Sequence, residues 1–328
     1  CVFPVACFPR IYQVPAGTLR AGENEIVIRL VSSAGCPEFV KGKPYQLEIA
    51  GRTLPLAAIW KHKMGCTMER IPSTIGFQNE PTGLYNSMIH PLRNYGIRGI
   101  IWYQGESDTG PQGSKLYESH LIDLVNDWRT QWNNKNLPFI IVQLANYQQR
   151  SKVPVESGNA RVREAQRKAS LQLKNAGLAT AIDLGESNDI HPLNKKDLAH
   201  RCVLQMNKLA FGKKNIVAEG PMAESAELKD GRIIVSFMQG TGTLKQAESL
   251  EGIAVAANDG KYKFVKAYTE GNTVIVKWDG KGIPASIRYA WENNPPSSIY
   301  NTEGLPASSF QLPVVSKVKY SVTVRTPL

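Results

Sequence analysis

The sequence predicts an α/β fold with β-rich segments on either side, and three observations predict it. Between Gly83 and about Phe211, continuous apolar runs alternate with amphipathic stretches, the pattern of a parallel sheet buried on both faces by helices. Before and after this region, short β-prone runs are separated by Gly, Pro and Asn turns. Two polar motifs stand directly after central apolar runs, QGESD after IIWY and GESNDIH after TAIDL, where a parallel sheet places its sites.

Taken in order, Glu25 to Val31 (EIVIRLV) and Tyr45 to Ile49 read as the first strands. IRGIIWYQ opens the central region as a buried strand, and the helix after it carries Tyr117, Leu121, Leu124, Trp128 and Trp132 on one face. Strand LPFIIVQLA, helix ARVREAQRKASLQL and strand GLATAIDL follow. The last central helix has Leu198, Cys202, Met206 and Leu209 on one side, with Asn194 placed to cap it. From about Ile216, the runs RIIVSF, GIAVAA, TVIVKW, SIRYAW and KYSVTV alternate with Gly-rich turns, which suggests a separate sandwich of about 110 residues. No internal repeat interrupts this order.

The 328 residues are 42% hydrophobic and 20% charged, the balance of a folded chain. A formal charge of +11 and a pI near 9.4 raise the question of nucleic acid. The basic residues are scattered, however, and the densest pairs, Lys195 with Lys196 and Lys213 with Lys214, flank a predicted helix. No nucleic-acid partner is therefore expected, and the charge implies only a general attraction to acidic surfaces or acidic sugars. No eighteen-residue apolar run is present, so no membrane span is predicted. Cys1, Cys7, Cys36, Cys66 and Cys202 form no CxxC pair and stand near no histidine at zinc spacing, so no zinc site is expected. Cys202 reads as a small core residue. The chain opens at Cys1 without the basic start, apolar centre and cleavage site of a signal peptide, and its true start is expected to be missing or processed away.

The chemistry concentrates in DLGESNDIHPLN, residues 183 to 194. His191, two positions after Asp189 and just before Pro192, stands where a carboxylate can fix its tautomer and stabilise its protonated form during acyl transfer. Asn188 and Asp183 compete with Asp189 for that role, and spacing leaves the three open. In QGESD, Gly105 permits a tight turn and Gln104 offers an amide donor to an oxyanion. Asp108 reads as a cap for the next helix. Ser107 is an alternative nucleophile, but Thr109 occupies the position where a nucleophile elbow needs glycine. Arg163, Glu164 and Gln166 are placed to reach a pocket but read more simply as a solvated helix face, and Trp291, Tyr300 and Phe310 as packing or sugar-stacking aromatics.

Together these blocks resemble the sialate O-acetylesterases of the SGNH hydrolase superfamily. The likeness rests on PTGLYNSMIHPL (81–92), IRGIIWYQGESD (97–108), LPFIIVQLANY (137–147), REAQ (163–166), NDIHPLNKKDLAHR (188–201) and RYAWENNPPSSIYNTEGLPASSF (288–310). It implies a flavodoxin-like three-layer domain that removes acetyl groups from sugar hydroxyls through a serine acyl-enzyme, without metal or cofactor. His191 matches the catalytic histidine, Asp189 its acidic partner and Gln104 the oxyanion-side residue. The usual DxxH spacing falls on Asn188, which makes Asp189 a choice between neighbours. The family's GQSNM-like nucleophile block is not recognisable here, so the resemblance implies a serine upstream of this chain and little activity from the chain alone. It also implies a domain order of 1–72 as the final strands of an inserted β jelly-roll resembling galactose-binding domains, 73–215 as the hydrolase part and 216–328 as a β-sandwich-like domain. A secreted or periplasmic setting follows from the family's substrates. The reading from a different class is a non-catalytic carbohydrate-binding or scaffolding protein of the same fold.

Overall fold

The computed structural model describes residues 11–31, 39, 42–66, 76, 80–280 and 282–316. The chain divides into two compact units, Cys1–Asn94 and Tyr95–Leu328.

In the first unit, β1 (Gln46–Ile49) pairs antiparallel with β2 (Arg52–Pro55). The turn between them, Ala50–Gly51, takes positive φ at both residues, the conformation that matches the twist of a two-residue hairpin. EIVIRLV forms no strand. A strand needs a hydrogen-bonding neighbour, and none of the described residues supplies one, so Val27 and Val31 stand exposed. Cys1, Cys7 and Cys36 lie outside the described residues, as does KYSVTV.

The second unit opens with the predicted parallel sheet, β3 (Ile100–Trp102), β4 (Phe139–Gln143) and β5 (Ala176–Thr180), in that spatial order. α1 (Pro111–Gln131) and α2 (Gly158–Gln172) are the crossovers and pack against each other on one face of the sheet. α3 (Lys195–Leu209) covers the other. The alternation of β4 explains why its sequence is apolar throughout: Phe139 and Ile141 face α1 and α2, whereas Ile140 and Val142 face α3. All four are fully buried. An Ile141→Val variant, which deletes one methyl group from this core, is expected to lose about 1 kcal/mol of stability by urea denaturation.

β6 (Ala223–Lys229), β7 (Arg232–Phe237), β8 (Ile253–Ala257), β9 (Lys263–Phe264), β10 (Ala267–Glu270), β11 (Thr273–Lys277), β12 (Pro284–Tyr289) and β13 (Phe310–Ser316) form one eight-stranded sheet. Its order is β10-β11-β7-β6-β13-β12-β8-β9, antiparallel except where β13 runs parallel to β6. The sheet curls so that both halves contribute to one core, in which Val235 and Val274 share a cluster with Val255, Ile287 and Phe310. Phe310 packs tilted on Tyr289 at 5.6 Å and edge-on to Phe237 at 6.5 Å.

Candidate active site

The site gathers at the carboxyl end of the three parallel strands. β3 leads into Gln104 and a single 3-10 turn, Glu106–Asp108. At Gly105 the backbone takes φ +145°, and a Cβ there would meet Val162, Tyr117 and Leu144 at 3.0–3.3 Å. This glycine lets the loop descend between α1, α2 and β4. The Tyr117 hydroxyl donates to the Gln104 carbonyl at 2.7 Å, and the Gln166 amide donates to the same oxygen at 3.1 Å. Burial pushes the Tyr117 phenol up to about 12, with its hydrogen bonds opposing that rise, so it stays a neutral donor.

The Gln104 side-chain amide donates to Asp108 Oδ2 at 2.7 Å. Asp108 therefore does not cap α1, whose N-cap is Gly110 without a side-chain bond. Pro111 at the first helical position removes one donor that a cap would have served. Ser107 is exposed, and no hydrogen bond joins it to a histidine or a carboxylate among the described residues.

After β5, the chain turns through residues 181–194 into α3, where Asn194 accepts from the Asp197 amide as N-cap. Asp189 Oδ1 accepts the His191 backbone N–H at 2.9 Å and lies 3.5 Å from His191 Nδ1. The carboxylate thus sits at ion-pair distance beside one ring nitrogen, and the His191 side chain is 57% exposed. Asp183 has other duties. Arg201 grips it with both nitrogens, at 2.6 and 2.9 Å, and the Tyr300 hydroxyl donates to it at 3.2 Å. Of the two candidate acids, Asp189 is the one beside the imidazole.

Two further loops close around this one. The Gly185 N–H donates to Asn146 Oδ1 at 2.7 Å, and Tyr147 bridges Glu186, which in turn bridges Asp189. Asn146 also donates to Asn294, while Asn294 donates to the Gln148 carbonyl and Asn293 accepts from Ser157. Lys195 lies 5.2 Å from the Tyr103 ring centroid, so the start of α3 meets the end of β3. Burial first, and Glu106 next, push the Tyr103 phenol up to about 12. The end of β3, from which QGESD continues, and the start of α3, into which NDIH leads, therefore approach each other.

Sequence reasoning missed the Asn146–Asn294 and Asp183–Tyr300 links, which join segments far apart in the chain. It also misjudged REAQ. Arg163, Glu164 and Gln166 are buried, because α2 is covered by the sheet on one side and by β13 and the segment after β12 on others. Gln166 accepts the Leu144 amide and donates to the Val142 and Gln104 carbonyls. Arg163 donates to the Glu292 carbonyl. Phe310 is core, and Tyr300 is a partner of Asp183.

Among the described residues no three His, Cys, Asp or Glu side chains cluster as metal ligands, and no helix is long and apolar enough to cross a membrane.

Gly185 allows the loop carrying His191 to lie against the 144–148 loop, since a Cβ there would fall 1.9 Å from the Asn146 carbonyl oxygen. Gly185→Ala must therefore move one loop or the other. If the site acts as a hydrolase, a displacement of about 1 Å is expected to lower turnover about 10²-fold, and steady-state kinetics of the variant checks this.

Comparison with known proteins finds similarity to acetylesterases. Residues 68–201 match the family model described as carbohydrate esterase, sialic acid-specific acetylesterase. The sialate O-acetylesterase of Homo sapiens is 28% identical over 278 residues, covering 77% of this chain and 51% of that protein. That of Pongo abelii is 29% identical over 235 residues, 65% of this chain and 44% of that protein. Among solved structures, a carbohydrate acetylesterase from Xanthomonas citri is similar with a TM-score of 0.65 and 34% identity, over 70% of this chain and 53% of that one. The chain spans about half the length of these relatives.

Proposed function

We propose that this chain, whose residues 68–201 match the sialic acid-specific acetylesterase family, carries the histidine half of a carbohydrate O-acetylesterase with a flavodoxin-like SGNH hydrolase domain. The observation that carries the reading is the placement of His191 in the loop after β5, with Asp189 3.5 Å from Nδ1. A carboxylate beside Nδ1 favours the tautomer that carries its proton there, the one in which Nε2 acts as the base.

In this mechanism a serine hydroxyl attacks the acetyl carbonyl carbon while His191 takes its proton. The tetrahedral intermediate collapses, the bond from carbon to the sugar oxygen breaks, and His191 returns the proton to that oxygen. Water then attacks the acetyl-enzyme, His191 accepts its proton, and acetate leaves as the serine is restored. Asp189 stabilises the imidazolium in both halves. Gln104 stands on the oxyanion side. One N–H of its amide is held by Asp108, and the second is the donor this role would use. The serine belongs to sequence beyond these 328 residues, and an O-acetylated sialic acid is the substrate that the relatives' names suggest.

A fluorophosphonate probe, which labels activated serines, tests this reading on the longest polypeptide that the reading frame encodes. The expected result is one label upstream of Cys1, lost in a His191→Ala variant. A label on Ser107 would overturn the assignment of the nucleophile. An unlabelled protein that also releases no acetate from O-acetylated sialic acid would overturn the esterase reading.

A further inference from the structure

A polar groove of about 640 Å³ runs between α1 and α2 on one side and β12 and β13 on the other, within the second unit and apart from His191. Its walls carry four basic side chains, Lys115, Arg161, Lys168 and Arg288, against two acidic ones, Glu118 and Glu164. Glu164 is already neutralised by Arg167, which holds both its oxygens at 2.8 Å. Lys168 stands 3.9 Å from the same carboxylate, and Lys115 has no ion pair among the described residues. The groove is therefore positive where it is open. A concave, low-dielectric surface focuses that charge on an incoming anion.

The groove is also organised. Arg288 is fixed between the rings of Tyr262, at 3.8 Å, and Trp291, at 4.5 Å, and is held by Glu156 at 2.6 Å. Arg161 pairs with the other oxygen of Glu156 at 2.9 Å, so one carboxylate positions two guanidinium groups. The guanidiniums hold Glu156 below the usual carboxylate range against the opposing effect of its burial. Ser114 Oγ and Trp291 Nε1, both buried and without a hydrogen-bond partner among the described residues, belong to the wall as well. Arg288 also donates to Gln311 Oε1 at 3.0 Å, and Ser286 is bonded to Tyr262 and the Leu312 carbonyl, so the groups left to meet a sugar that bears negative charge are Lys115, Lys168, Arg161 and the Gln311 amide N–H.

We propose that this groove is a second carbohydrate site, one that binds a carboxylated oligosaccharide of two to three residues' length while the strand-end site handles the acetyl ester. The choice of a sugar over another polyanion rests on the acetylesterase reading, whereas the charge and shape of the groove do not.

Binding of fluorescently tagged trigalacturonic acid and of a sialic acid trimer to the 328-residue chain, followed by anisotropy at low salt, tests the proposal without reference to hydrolysis. Expected is saturable binding of at least one free acid, with the neutral methyl ester of the same trimer at least about tenfold weaker. Lys115→Gln with Lys168→Gln, both on exposed helix positions, is expected to weaken binding at least about tenfold with an unfolding midpoint close to the parent's. Lys115→Ala alone, which keeps the helix, should weaken it about threefold. The proposal is overturned if neither acid binds, if the ester binds as well, if the lysine variants bind unchanged, or if polyphosphate of matched charge binds as tightly. Loss of acetate release leaves every one of these outcomes readable, so the two proposals fail separately.

Discussion

Replacing His191 by alanine is expected to lower acetate release by at least about 10³-fold, since a residue that moves a proton in both half-reactions has no substitute nearby. The measurement is kcat/KM for an O-acetylated sialic acid on the longest encoded polypeptide, beside the unfolding midpoint. Stability should hardly change, because the ring is more exposed than buried and His191 has no place in the apolar cores. The companion substitution is Asp189→Asn. It keeps an oxygen for the His191 backbone N–H but removes the charge beside Nδ1, so a loss of about 10² to 10⁴-fold is expected by analogy with triad acids. Turnover near the parent level for His191→Ala would remove the histidine from the chemistry. Normal turnover for Asp189→Asn would return the orienting role to another side chain.

What the sequence made legible was whatever local periodicity controls. β4 was plain because a strand buried on both faces must be apolar at every position, and α1 because Tyr117, Leu121 and Trp128 recur at helical spacing. The carboxyl-end placement of QGESD and NDIH followed from the parallel order. β13 escaped notice, since Pro313 breaks its pattern and its neighbours, β6 and β12, are fixed by tertiary packing. EIVIRLV misled in the opposite sense, with strand composition but no partner among the described residues. REAQ misled because polarity suggests solvent, whereas Gln166 and Arg163 are buried to satisfy carbonyls that loops leave open. The site was half legible for the same reason. Asp189 and His191 are local partners, but the hold of Tyr300 on Asp183 spans 117 positions and leaves no periodic trace.

That hold gives the second large effect. Arg201→Leu is expected to cost about 3–5 kcal/mol, because it leaves the Asp183 carboxylate largely buried with only the Tyr300 hydroxyl to stabilise it. Arg201 also donates to the Thr180 carbonyl at 2.6 Å, so the last residue of β5 loses a partner too. Asp183→Asn should cost less, since a neutral amide can still meet Tyr300 and part of the guanidinium. Combining Arg201→Leu with Asp183→Leu should recover part of the loss, as both charges then vanish together, and urea denaturation of the parent, the two single leucine variants and the double variant closes the cycle. The same set separates structure from catalysis. If Asp183 serves the fold, Asp183→Asn retains acetate release within about tenfold at a temperature where it stays folded. If activity instead collapses while the protein remains folded, Asp183 and not Asp189 governs the imidazole, and the Arg201 bond must open for the site to work.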